Sequence, residues 1–239
     1  MIRKESLHDK VVRHLALRIV KGEVTTLPNE AELGKDLQVS RSILRESIKV
    51  LAAKGLLEVG PKTGTRVRPR KDWNLLDPQL LEWISESGVD EPFFDNICEL
   101  RRVFEPTVAE LAAMRATPED MEEMRAAWEE MRRNSNHWEG YNAGDLRFHR
   151  AIQVAAHNEL LTQIGKLCQV LLRISFSITS QTEEPFGASL SLHKDVLDAI
   201  TNHNPSAARK YTEKVIAVSA TAIRSKLSHK EREPLPVGL

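Results

Sequence analysis

The stretch LPNEAELGKDLQVSRSILRESIKVLAAKG, residues 27–55, decides how the first part of this chain folds. Leu27-Pro28-Asn29 breaks the backbone, and Asn29 is suited to cap a helix whose first turn carries Glu30 and Glu32, where carboxylates face the positive end of the helix dipole. That helix should be short, running to about Leu37, with Leu33 and Leu37 as its core face. Gln38-Val39 makes a turn, and Ser40 can cap the next helix through its hydroxyl. Ile43, Leu44, Ile48 and Leu51 give that helix a buried face until Gly55 stops it. Two short helices joined by a tight turn form a helix-turn-helix. The outer face of the second helix presents Arg41, Ser42, Arg45 and Lys49, the three cations spaced four apart. In the major groove such a face offers Arg for bidentate bonds to guanine and Ser and helix N–H groups for phosphates. The alternative is a solvated face with Arg45 and Glu46 in surface pairs.

The flanks favour the DNA reading. Upstream, Val12, Leu15 and Ile19 recur at helical spacing and predict an amphipathic helix from His8 to Val20, ending near Gly22. Downstream, Leu56–Val59 and Thr65–Arg68 are two β-prone runs flanking Gly60-Pro61-Lys62-Thr63-Gly64, which predicts a hairpin wing. Lys62, Gly64 and Arg66 then become candidate phosphate or minor-groove contacts, with Gly64 allowing close backbone approach. Formal charge is zero over 239 residues, but residues 1–71 hold 16 Lys and Arg against 8 Asp and Glu, leaving 18 against 26 for the remainder. Cations concentrated on one module suit a polyanionic partner, because they release the counterions condensed on its phosphates.

Leu27–Leu33, Val39-Ser40-Arg41-Ser42-Ile43-Leu44-Arg45-Glu46, Gly55-Leu56-Leu57 and Gly64-Thr65-Arg66-Val67 together resemble the signature of the GntR family of bacterial transcription regulators. The resemblance implies a homodimer whose two winged helices bind double-stranded, near-palindromic operator DNA.

Domain boundaries are expected at 1–70 for the winged helix-turn-helix, 71–91 for a linker or docking segment, 92–228 for a second domain and 229–239 for a tail. Trp73, Leu75, Leu76, Leu80, Leu81, Trp83 and Ile84 give the linker more apolar surface than a free one would carry, so it should be docked. From Pro92 helical patterns dominate, with helices expected at about 92–115, 118–135, 138–157, 158–182, 186–202 and 205–228. Ser175–Thr179 is the one β-prone run, and it is short. The fold class is therefore mainly α: three helices plus a hairpin wing, then an all-α bundle. No run of 18 apolar residues and no apolar leader are present, so a cytoplasmic protein without a membrane partner is expected. Cys98 and Cys168 lie far apart in helix-like apolar surroundings and read as reduced core thiols.

Within the bundle, Asp145, His149, Ile152 and Ala156 fall on one helical stripe, so two metal-ligand-type residues share a face with core residues. His193 stands with Val196, Leu197 and Ile200 in the same way. One carboxylate and two imidazoles converging inside a bundle can hold a divalent transition metal; alternatively each histidine bonds a backbone carbonyl. Glu99–Pro106, Ala112-Ala113, Asp145-x-x-x-His149, His157-Asn158, His193 and Asp198-Ala199-Ile200 resemble the FCD ligand-sensing domain of the FadR-like branch. That resemblance implies a metal such as zinc or nickel on Asp145, His149 and His193, whose coordination the carboxylate of an effector completes. The family's fourth ligand, a His in the last helix, has no counterpart; Val218 stands at or beside its position. Arg101 matches the family's effector-facing Arg, while an ion pair with Glu105 four residues on is its other role. Trp73–Asp77 resembles regulators responding to galactonate-type sugar acids, which implies a small carboxylate or sugar-acid effector. A ligand-controlled repressor, not an enzyme, is thus the leading expectation. A metal-dependent hydrolase fused to a DNA-binding module, with Glu159 as the nearest arguable base, and a constitutive architectural DNA-binding protein are the alternatives.

Overall fold

Ser6 opens the first helix with a capping box: its side chain accepts from Asp9 N–H, and Asp9 accepts in return. The computed structural model describes residues 6–60, 64–179 and 187–230, which form two units meeting between Val89 and Asp90.

In the first unit α1 (Leu7–Val20) buries Val12, Leu15 and Ile19, and α2 (Glu30–Asp36) and α3 (Arg41–Ala53) follow it. The caps are the residues expected, Asn29 accepting from Ala31 and Glu32 N–H and Ser40 from Ile43 N–H. Gln38, in the turn between α2 and α3, takes the left-handed conformation at φ 54°. Strands β1 (Leu57–Gly60) and β2 (Gly64–Val67) pair antiparallel, with Leu57 opposite Val67 and Gly60 opposite Gly64. The segment before α2 adds a third edge, because Leu27 N–H donates to Thr65 O and Val67 N–H to Thr25 O.

After a single 3-10 turn at Arg70–Asp72, α4 (Pro78–Ser87) belongs to this same unit and buries Leu80, Leu81, Trp83 and Ile84. Lys54 Nζ bonds both oxygens of Asp77, the N-cap of α4, at 2.8 and 2.7 Å, and Asn74 N–H donates to Lys54 O. This return of the chain across the end of α3 requires Gly55. Its φ is 77°, and a Cβ there would stand 2.5 Å from Asp72 O.

The second unit is all helical: α5 (Glu91–Arg115), α6 (Pro118–Arg133), α7 (Trp138–Ala155), α8 (Glu159–Thr179), α9 (Gly187–Thr201) and α10 (Pro205–Lys230). The β-prone run Ser175–Thr179 is the end of α8, local preference yielding to tertiary context. Its core joins Val108 and Ala112 of α5, Met124 and Met131 of α6, Phe148 and Ile152 of α7, Leu197 and Ile200 of α9 and Val215 of α10. Gly144 lets α7 press onto α6, since a Cβ there would lie 2.8 Å from Met131 N. Cys98 and Cys168 are free and buried, and burial pushes the Cys168 thiol up to about 12, so both are inert core thiols.

Candidate functional site

On α3, Arg41, Ser42, Arg45 and Lys49 are all exposed, on the face opposite buried Leu44, Ile48 and Leu51. Arg45 Nε donates to Glu30 Oε2 at 2.7 Å, and Lys49 Nζ to Glu46 Oε1 at 2.8 Å. The first contact spans α2 and α3 and engages one edge of the Arg45 guanidinium, while its two terminal nitrogens stay outside that bond. Gly64, at φ 70°, and exposed Arg66 lie on β2. Lys62 lies outside the described residues.

The second unit brings its ligand-type residues together as the helical stripe requires. Asp145 and His149 of α7 and His193 of α9 are buried, and one ligand atom from each lies within 4.8 Å of the others. His193 Nδ1 is 2.7 Å from Ser189 O. A carbonyl only accepts, so Nδ1 carries the proton and a neutral His193 turns a bare Nε2 lone pair toward the carboxylate. Asp145 Oδ1 lies 2.9 Å from that Nε2, yet off the direction of a hydrogen bond, and Nε2 has no hydrogen-bond partner. Two lone pairs face each other there unless a proton on Nε2 or a bound cation stands between them. His149 Nε2 is 3.8 Å from Asp145 Oδ2, so a second imidazole faces the same carboxylate.

Behind His149, α5 supplies a buried pair that completes the chain of charges. Arg101 Nε donates to Glu105 Oε1 at 2.7 Å, and Glu105 Oε2 stands 3.5 Å from His149 Nδ1. Burial disfavours charge on His149 and, despite the carboxylates beside it, holds its pKa below the ordinary histidine value. Burial opposes charge on His193 as well, but the Asp145 carboxylate and the Ser189 carbonyl outweigh it and lift its pKa. Asp145 itself, which burial alone would raise, is held low by the two imidazoles and Arg101. The pocket thus favours an anionic Asp145 with positive charge beside it.

Residues 7–67 match the gntR family of bacterial regulatory proteins, and residues 96–217 match the FCD domain. The chain belongs to the GntR family. The galactonate operon transcriptional repressor of Escherichia coli K12 is 34% identical over 220 residues, covering 90% of this chain and 96% of that protein. An uncharacterized HTH-type transcriptional regulator of the same organism, YieP, is 35% identical over 218 residues, 87% of this chain and 91% of its own. Among solved structures, Lar of Listeria monocytogenes superposes with a TM-score of 0.65 at 21% identity, over 93% of this chain and 99% of that one, a likeness of fold. This GntR-family chain is accordingly a transcription regulator with an FCD domain, and its relatives are regulators, not enzymes. Among the described residues no helix is long and apolar enough to cross a membrane.

Within this FCD domain three residues differ from their expected roles. Val218 is 43% exposed and turned out of the bundle, so it does not stand where a fourth ligand would. The inward face of α10 runs through Thr212, Val215, Ile216 and Ala220, and Val215, three residues before Val218, is the buried valine. Glu105, expected as a partner for Arg101, is also the acidic neighbour of His149, brought there by the packing of α5 on α7. Glu159 is exposed in the first turn of α8, bears no relation to a base position, and the hydrolase alternative loses its candidate.

Proposed function

We propose that this GntR-family regulator is a homodimeric repressor whose FCD domain binds a divalent transition metal, zinc or nickel, through Asp145, His149 and His193, and a sugar-acid effector beside it. The observation that carries this reading is the buried Nε2 of His193, unpartnered and 2.9 Å from a carboxylate oxygen. The donor set of one oxygen and two imidazole nitrogens suits such ions. Glu105 behind His149 and the Ser189 carbonyl behind His193 orient the rings, as partners of metal-bound imidazoles do.

The charge count points to the effector. Asp145 and Glu105 contribute two negative charges and Arg101 one positive, so a divalent ion with neutral imidazoles leaves the buried cluster with one positive charge in excess. A single carboxylate cancels it, and burial makes that cancellation strongly favourable. The bound ion supplies a Lewis-acidic position for that carboxylate; Arg101 supplies a guanidinium that can share its fork between Glu105 and the incoming group. Likeness to a galactonate operon repressor favours a sugar acid.

In the winged helix-turn-helix, Arg41, Arg45 and Lys49 enter the major groove with Ser42 at a phosphate, and Gly64 and Arg66, with Lys62, contact the neighbouring backbone. Effector binding shifts the population of the dimer competent for operator. Elemental analysis and calorimetric metal titration test the centre: one metal per chain is expected, lost in His193→Ala. Full loading of that variant would overturn the assignment.

A further inference from the structure

We infer that the FCD domain has a second anion site, on the side of α7 away from the metal cluster. A groove of about 580 Å³ lies between α6, α7 and α8. Successive residues of a helix turn by about 100°, which places Arg147, Arg150 and Val154 opposite the stripe of Asp145 and His149. The site is therefore distinct from the centre described above, though one helix carries both.

The groove's charges are unevenly paired. Arg147 is committed to Glu123, at 2.8 Å, and to Glu130, at 3.0 Å. Asp120 is engaged by His157 Nε2 at 2.7 Å and by the Thr117 cap. With those carboxylates occupied, Arg150 of α7 and Arg173 of α8 remain, both exposed and, among the described residues, without a hydrogen bond or ion pair. Gln169, one turn before Arg173, lines the same groove, and its Nε2 is shielded from solvent with no hydrogen-bond partner. A shielded amide N–H asks for an acceptor, because leaving it unsatisfied forfeits its hydration. Leu146 and Val154 supply an apolar floor.

Two uncommitted guanidiniums, one orphaned amide donor and an apolar floor fit a small organic anion with two or more anionic oxygens, a phosphate ester or a dicarboxylate. Arg is suited to either through paired charge-assisted bonds.

The test is calorimetric titration of the full-length protein with inorganic phosphate and, separately, succinate, at constant ionic strength. One saturable site per chain is expected. Arg150→Ala and Arg173→Ala should each weaken binding about tenfold or more. Gln169→Leu should weaken it while leaving the fold intact. Preference for phosphate over succinate identifies a phosphate ester as the ligand class, and the reverse a dicarboxylate. No saturable binding of either anion, affinity unchanged in the double arginine variant, or a double variant altered in self-association instead of anion affinity would each overturn the proposal.

Discussion

Glu30→Ala is expected to cost sequence discrimination without costing general affinity for DNA. In the folded protein Arg45 Nε donates to Glu30 Oε2 at 2.7 Å, although the two side chains are 65% and 39% exposed. This bond holds a long side chain in one geometry and leaves the Nη1/Nη2 edge, the one that bonds guanine O6 and N7, facing outward. Two effects oppose each other when the carboxylate is removed. The repulsion between Glu30 and phosphates at a distance on the order of 10 Å is about 0.4 kcal/mol in water and less with salt, so its loss strengthens binding to every duplex by at most about twofold. The freed Arg45 must instead be ordered at the moment of binding, at about 0.5–1.5 kcal/mol for a rotamer-rich side chain. Only a sequence that bonds the fork bears that second cost. The ratio of specific to non-specific affinity should therefore fall about two- to tenfold, with non-specific affinity level or slightly higher. Fluorescence anisotropy on the regulator's own upstream duplex and on a shuffled duplex of equal length, at one salt concentration, reads the ratio. Equal gains on both duplexes would mean that Glu30 merely competes with DNA, and the positioning argument would fail.

Three further outcomes follow from the geometry. Asp145→Asn should lower the stability of the metal-stripped protein by about 3–5 kcal/mol, because it removes one partner from a buried charge cluster, and zinc or nickel should no longer raise its melting temperature; an undiminished metal-induced shift would contradict the ligand assignment. Val215→His, which places an imidazole on the buried face of α10, should tighten metal binding measured by competition with a chelator, while Val218→His, at an exposed position, should not. Gly55→Ala imposes a Cβ 2.5 Å from Asp72 O at a φ of 77°; the left-handed backbone alone costs about 1–2 kcal/mol, so urea unfolding should show the first unit lose at least that much, and a change below about 0.5 kcal/mol, within the range of ordinary surface substitutions, would show that α4 docks without this close approach.

What was readable in the sequence is what local chemistry dictates. Asn29 and Ser40 cap their helices because short polar side chains reach the free N–H groups of the next turn, and that reach depends on nothing distant. The stripe Asp145–His149–Ile152 needed only the helical period, and α9 followed from the same rule around His193. The hidden features are contacts between segments far apart in the chain. Thr25–Leu27 pairs with the wing through backbone groups alone, so no side-chain pattern announces it. The apolar linker residues Leu80, Leu81, Trp83 and Ile84 advertise burial, but their spacing alone does not mark the helix α4 that carries them. Glu105 lies 44 residues before His149 in the sequence, and only the packing of α5 on α7 brings them to 3.5 Å. The register of α10 is likewise hidden: three residues along it amount to about 300°, so buried Val215 and exposed Val218 differ by a small shift in alignment.

Metal, sugar acid and DNA should be linked in this regulator. Operator binding by the zinc- or nickel-loaded protein should be measured with and without galactonate, in parallel with metal-stripped protein and the Asp145→Asn variant. The loaded protein should lose about 5- to 150-fold in operator affinity, the range of ordinary allosteric coupling, and the stripped and variant proteins should not respond. An equal response without metal, or no response of the loaded protein to any of a panel of sugar acids, would contradict it.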